Sequence, residues 1–152
     1  QLIDQSVSEV RSISHNLMPR ALSDKGLPEA LEELVHQVNT GKALRIGFEQ
    51  KGSKGTLGKA VEIALYRVIQ EALHNMIRHS GATAIRLELD RQPSQLLIRI
   101  SDNGKGFDKK VAETSEGMGW SNMAARLSFI NGKFDLDSAP GKGTAITIEV
   151  KL

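Results

Sequence analysis

Between Leu96 and Phe107 an alternating apolar strand runs into a carboxylate and two glycines, and no other stretch restricts the fold as tightly. Leu96, Ile98, Ile100 and Asp102 share one face at a period of two, while Leu97, Arg99 and Ser101 share the other. The face that points to the core therefore ends on Asp102. A carboxylate there needs hydrogen-bond donors to offset its desolvation, and the exocyclic amine of a purine is one group that supplies them. Asn103-Gly104 is also a common hairpin dipeptide between apolar runs. A hairpin needs a second alternating strand at once, and Lys105 to Glu116 offers charged and small residues with no period of two. The better reading is a glycine-bearing loop leaving the strand.

The rest of the chain supplies partners for that strand. Residues 60 to 79, projected at about 100° per residue, gather Val61, Ala64, Leu65, Val68, Ile69, Ala72, Leu73 and Met76 into one broad apolar arc, so Lys59 to His79 is the longest helix. Helices are also expected over 28–40, opened by Leu27-Pro28-Glu29 and closed at Thr40-Gly41, and over 121–130, ending at Asn131-Gly132. Strands are expected over 43–50, 85–90, 133–138 and 144–152, with a turn at Gln92-Pro93-Ser94 and a loop from Lys51 to Gly58. Ile146, Ile148, Val150 and Leu152 make one apolar face. Near the start, Ile3, Val7, Val10, Ser14 and Leu17 form a seam at spacings of four and three, which stops at Pro19 and would face another helix or its own domain.

With 152 residues the chain buries a proper core without needing a second domain. Twenty basic against 18 acidic residues is a small imbalance, and four Phe, one Tyr and one Trp leave little for base stacking. Nucleic acid is therefore not expected as a partner. No cysteine is present, which removes disulfides and thiolate metal sites and is compatible with a reducing cytoplasm. No run of about 18 apolar residues and no signal peptide occur. Because Gln1 falls inside a helical pattern, the chain reads as a piece of a longer protein that could itself be membrane-anchored.

Two polar residues intrude on the long helix. Glu71 lies at the edge of the apolar arc and Asn75, one turn later, lies inside it, so both should face the interior. An unpaired buried amide costs about 1–3 kcal/mol, and a charge more. Asn75 could tie the helix to a neighbouring backbone; together, a carboxylate and an amide oxygen at i and i+4 could instead hold a hydrated Mg²⁺. Arg78 and His79 follow, where a cation could meet phosphate oxygens. Gly117-Met118-Gly119-Trp120 places two glycines just before a helix N-terminus, where free amides favour anions. Each of the five Gly-Lys dipeptides lacks a following Ser or Thr, no GxGxxG occurs, and there is no HExxH, so P-loop, dinucleotide and zincin chemistry are excluded.

Glu71-Ala72-Leu73-His74-Asn75 with Arg78-His79-Ser80, Asp102-Asn103-Gly104-Lys105-Gly106-Phe107, Gly117-Met118-Gly119 and Ser138-Ala139-Pro140-Gly141-Lys142-Gly143-Thr144 resemble, in that order, the N box, the two glycine boxes and the closing motif of the catalytic and ATP-binding domains of sensor histidine kinases. That family belongs to the GHKL-type ATPases, with gyrase, the heat-shock 90 chaperones and mismatch-repair ATPases. Leu17-Met18-Pro19 with Gly26 to Leu31 is similar to a junction of the nitrate-sensor type.

The resemblance implies an α+β two-layer sandwich of the Bergerat type, a mixed sheet backed by three helices. Residues 1–18 would be the end of a dimerisation and phosphotransfer helix, 19–26 a linker and 27–152 the catalytic ATP-binding domain. It implies that Asp102 binds the adenine amine, that Gly104 and Gly106 let the backbone turn under the base, and that Asn75 ligates Mg²⁺. Glu71 would orient or deprotonate the attacking group and serve the metal. Arg78 and His79 would lie near the phosphates, Gly117 and Gly119 in a mobile lid, and Gly143 and Thr144 in the wall beside adenine. Trp120 departs from the small aliphatic residue usual after the second glycine box.

The implied function is a cytoplasmic protein histidine kinase domain that moves the γ-phosphoryl of ATP to a histidine in two-component signalling. Implied partners are the phosphoacceptor-histidine hairpin of the same protein, a homodimer mate and a response regulator receiver domain. The family's phosphoacceptor is typically followed by an acid, whereas Asn16, Gln37, Asn75 and Ser80 follow the four histidines, so this chain is not expected to phosphorylate itself. The alternatives are an ATPase that gates dimerisation and a non-catalytic module that binds nucleotide or a partner.

Overall fold

A computed structural model describes residues 20–40, 44–52, 57–108 and 120–152. The expected seam over residues 3 to 17, the glycines Gly117 and Gly119, and part of the Lys51 to Gly58 loop lie outside the described residues. In chain order the described elements are α1 (Arg20–Asp24), α2 (Leu27–Asn39), β1 (Arg45–Gly52), α3 (Lys59–His79), β2 (Ala84–Arg91), β3 (Gln95–Asp102), α4 (Trp120–Ser128), β4 (Gly132–Ser138) and β5 (Thr144–Lys151).

The five strands form one mixed sheet in the order β1-β2-β3-β5-β4. The pair β1 and β2 is parallel, because α3 crosses between them, and every other pair is antiparallel. The register sets apolar rows across the sheet. Leu87, Ile100, Ile146 and Leu136 stand opposite one another, as do Leu89, Ile98, Ile148 and Phe134. These rows pack on Leu31, Leu34 and Val38 of α2, on Leu65, Val68, Ile69, Ala72 and Leu73 of α3, and on Met123 and Leu127 of α4 in one buried core. The fold is the expected α+β sandwich, its three long helices on the sheet.

Two local features differ from the sequence expectation. Lys51 and Gly52 belong to β1, not to a loop, because they pair with Asp90 and Arg91 on the parallel neighbour. Residues 20–24 form a one-turn helix that buries Leu22. Lys59 of α3 latches it, Nζ donating to the Leu22 carbonyl at 3.1 Å, and α3 also holds the start of α2, where the Leu27 amide donates to the buried Glu62 Oε2 at 2.7 Å. Glu62 thus satisfies an orphan amide in the first turn of α2, whose preceding Gly26 has no side chain to do so.

Candidate nucleotide site

One row further toward the C-terminal end of β3, the apolar pattern becomes polar. Ile85, Asp102, Thr144 and Ser138 are the next residues in register after Leu87, Ile100, Ile146 and Leu136. The period of two that builds the core therefore delivers a carboxylate and two hydroxyls to one edge of it. Ser138 Oγ accepts from the Phe107 amide at 3.0 Å and lies 3.0 Å from both the Gly143 carbonyl and Thr144 Oγ1, which fixes the loop after β3 against the turn before β5.

Backbone approaches here are too close for side chains. A Cβ at Gly104 would overlap the Ser80 carbonyl, and the Lys105 amide donates to that same oxygen at 2.8 Å. Gly143 has φ +72°, and a Cβ there would overlap the Asp102 carbonyl. Asn103 accepts from the amides of Thr83 and Ala84, both at 3.0 Å, so it anchors the strand end to the segment before β2 and does not close a hairpin.

These segments and the C-terminal turn of α3 enclose a cavity of about 150 Å³, lined by Asn75, Met76, His79, Ser80, Asp102, Lys105, Gly106, Phe107, Trp120 and Thr144. Asp102 Oδ1 accepts from the Gly104 amide at 2.8 Å, whereas Oδ2 is buried with no partner among the described residues. Burial raises the Asp102 carboxyl above its ordinary value, opposed by the Gly104 and Thr144 amides. An acceptor held this way calls for a donor from a ligand.

Of the residues singled out in the sequence, Asn75, His79, Asp102, Gly106 and Thr144 line this cavity, and Gly104 and Gly143 shape its backbone. Asn75 is buried, and Glu71, one turn earlier on α3, is half-buried. Arg78 does not line it: its side chain is exposed and its Nη1 lies 3.3 Å from His74 Nε2. Burial, with Arg78 and Lys105 nearby, lowers the His79 imidazole below its ordinary value. Met76, Ser80, Lys105, Phe107 and Trp120 complete the lining, although nothing in the sequence marks them as ligand-binding. Lys105, Ser80 and Phe107 stood inside the quoted motifs, but only the fold shows that they meet.

A metal held here would need oxygen donors. The Asn75 amide and the Glu71 carboxylate are hard donors on one side of α3, and no group of three or more His, Asp or Glu side chains gathers among the described residues. That donor set fits a Mg²⁺ that keeps several waters and takes further oxygens from phosphates, and it does not fit a protein-caged ion.

A deep carboxylate with one free oxygen, a flanking hydroxyl and apolar walls suits a flat ring bearing an amine, and the class so defined is a two-layer sandwich that binds a purine nucleotide. The chain belongs to the histidine kinase-, DNA gyrase B- and HSP90-like ATPase family, whose pattern matches residues 60–152. It is 32% identical over 153 residues to the signal transduction histidine-protein kinase/phosphatase DegS of Brevibacillus brevis, covering 100% of this chain and 39% of that protein. It is 34% identical over 154 residues to the sensor protein VraS of Staphylococcus haemolyticus, covering 100% of this chain and 43% of that protein. The chain thus spans about two-fifths of these curated relatives. The histidine kinase domain of a blue-light activated histidine kinase from Erythrobacter litoralis superposes with a TM-score of 0.69 at 14% identity, over 97% of this chain and 72% of that one, which establishes the fold. None of these names carries the nitrate-sensor type, which rests on the junction motif alone.

Proposed function

We propose that this chain is the catalytic and ATP-binding domain of a sensor histidine kinase, transferring the γ-phosphoryl of Mg-ATP to a histidine outside residues 1–152. The observation that carries the proposal is the buried Oδ2 of Asp102, without a partner among the described residues, inside a cavity that also holds Asn75, Lys105 and His79. The adenine amine would donate to Oδ2, with Thr144 beside it.

Phosphates would extend past Asn75 toward Lys105 and His79, where an ammonium group and an imidazole can meet them. Asn75 and Glu71 would hold Mg²⁺, which when bound neutralises charge on the phosphate oxygens. Glu71 would orient the attacking imidazole or accept its proton. Gly117 and Gly119 would belong to the lid. Names of relatives support the kinase reading: DegS and VraS are a histidine-protein kinase/phosphatase and a sensor protein, and both cover this chain completely.

On this reading residues 1–18 end the dimerisation and phosphotransfer helix, 19–26 link it to the catalytic domain of 27–152, and the link itself packs Leu22 into that domain's core. The partners would be the phosphoacceptor hairpin, a second copy in the full-length protein, and a response regulator receiver domain. The domain would work in the cytoplasm; among the described residues no helix is long and apolar enough to cross a membrane. Calorimetric titration of the chain with a non-hydrolysable ATP analogue, with and without Mg²⁺, tests the pocket. Saturable binding that Mg²⁺ strengthens and Asp102→Asn abolishes is expected. No binding by a folded wild-type chain would refute the proposal, as would acid-labile histidine phosphate formed on the chain by itself for its substrate assignment.

A further inference from the structure

The walls of the cavity divide sharply by polarity. Its larger apolar members among the described residues are Met76 on α3, Phe107 after β3, and Trp120 at the first position of α4. A base whose edge is fixed by Asp102 presents two apolar faces, and among the described residues these three side chains are there to meet them. Two of the three form an aromatic wall. The rings of Phe107 and Trp120 lie 6.0 Å apart with an interplanar angle of 27°, and Trp120 continues to Phe134 at 6.1 Å and 31°.

Trp120 is 8% exposed, yet its ring still borders the cavity. A tryptophan is the largest π surface a side chain provides, and ring contacts with Phe107 and Phe134 hold its position, so it is presented to a ligand at little entropic cost. Met76, 3% exposed, supplies a polarisable thioether to the same space.

We infer that Trp120 is a base-contacting residue, forming with Phe107 an aromatic wall on which the purine ring rests. This rests on the nucleotide reading above. The consequence is that affinity for the base itself, and not only for the phosphates, depends on the residue at position 120.

Trp120 is the single tryptophan of the chain, so its emission reports on its own surroundings. Titrating the chain of residues 1–152 with adenosine and with Mg-ATP should change that emission saturably, with midpoints matching calorimetry. Trp120→Leu should weaken adenosine and ATP by the same factor, about tenfold, and Trp120→Phe should recover most of the loss. A merely structural Trp120 would lower the melting temperature without that equal loss for adenosine and ATP. ATP binding seen by calorimetry with unmoved emission would overturn the inference and leave the nucleotide reading standing, even if the leucine variant failed to fold. So would a folded leucine variant that keeps its adenosine affinity. Absence of any ATP binding by the folded wild-type chain would overturn both.

Discussion

Asp102→Asn should abolish nucleotide binding and at the same time stabilise the ligand-free chain at neutral pH. Asp102 Oδ1 already has the Gly104 amide, and asparagine keeps that acceptor. What changes is the buried Oδ2, which shares the carboxylate charge and has no partner among the described residues. Asparagine puts an equally unpartnered Nδ2 there, so only the desolvated charge is removed; the side chain is half-buried, and solvent screening holds that gain to about 1 kcal/mol. In a chain of this size that is roughly 2–4 °C of melting temperature. Burial, the largest cause, raises the folded carboxyl above its ordinary 3.8. The folded chain therefore holds this proton more tightly than the unfolded chain. Protonation favours folding fully below 3.8, and that benefit is lost as pH rises through the raised value. The variant's advantage should be larger at pH about 7 than at pH about 4, shrinking as the wild-type carboxyl takes up its proton. Paired thermal melts by circular dichroism across that range measure it. With Mg-ATP at 100 times its Kd the order should reverse, because ligand adds about 2.7 kcal/mol to wild type and nothing to the variant. A variant that melts below wild type without ligand at pH about 7, or whose advantage does not depend on pH, would refute this account of Oδ2.

Three further outcomes follow from individual contacts. Gly143→Ala places a Cβ against the Asp102 carbonyl at φ +72°, so it should lose about 1–3 kcal/mol in denaturant melts and weaken ATP as Asp102 shifts. Glu62→Ala leaves the Leu27 amide buried without its acceptor and should cost about 1–3 kcal/mol, whereas Glu62→Gln keeps an oxygen and should cost less; equal losses would show that the Leu27 bond contributes nothing. Asn75→Ala should remove the Mg²⁺-dependent gain in ATP affinity while leaving adenosine binding intact, and calorimetry that still shows the full Mg²⁺ effect would take Asn75 out of the metal site.

Much of this architecture was legible because two periods recur along the chain. The arc from Val61 to Met76 predicted α3 to its terminal residues, and alternation over Leu96 to Asp102 located β3 within one residue. Where period fails, the sequence is silent. Lys51-Gly52 has the composition of a loop, and only pairing with Asp90 and Arg91 makes it strand. The five residues of α1 bury one leucine, too few to show a period. The insertion of β5 between β3 and β4 leaves no trace in local pattern, since every strand offers the same kind of apolar face to its neighbours. Cavity walls are harder still, because Ser80, Lys105 and Trp120 come from three segments that meet only after folding.

Asp102 escaped that limit for a physical reason. It occupies the same face as Leu96, Ile98 and Ile100, and slipping β3 by one residue against β5 would turn all four to the other side of the sheet. The free energy that holds the apolar rows in register therefore also holds the carboxylate at their end. Core and site share one constraint here: Ile100 opposite Ile146 places Asp102 opposite Thr144, and Gly143 lets the turn before β5 pass the Asp102 carbonyl without a side chain in the way. A substitution that loosens Ile146, such as Ile146→Ala, should thus lower nucleotide affinity as well as stability, although Ile146 does not line the cavity. Buried large-to-small changes of this kind cost about 2–5 kcal/mol. If titration of the folded Ile146→Ala chain gives the wild-type Kd for ATP, the register of the core does not govern the site and the loop contacts of Ser138 and Gly104 position Asp102 by themselves.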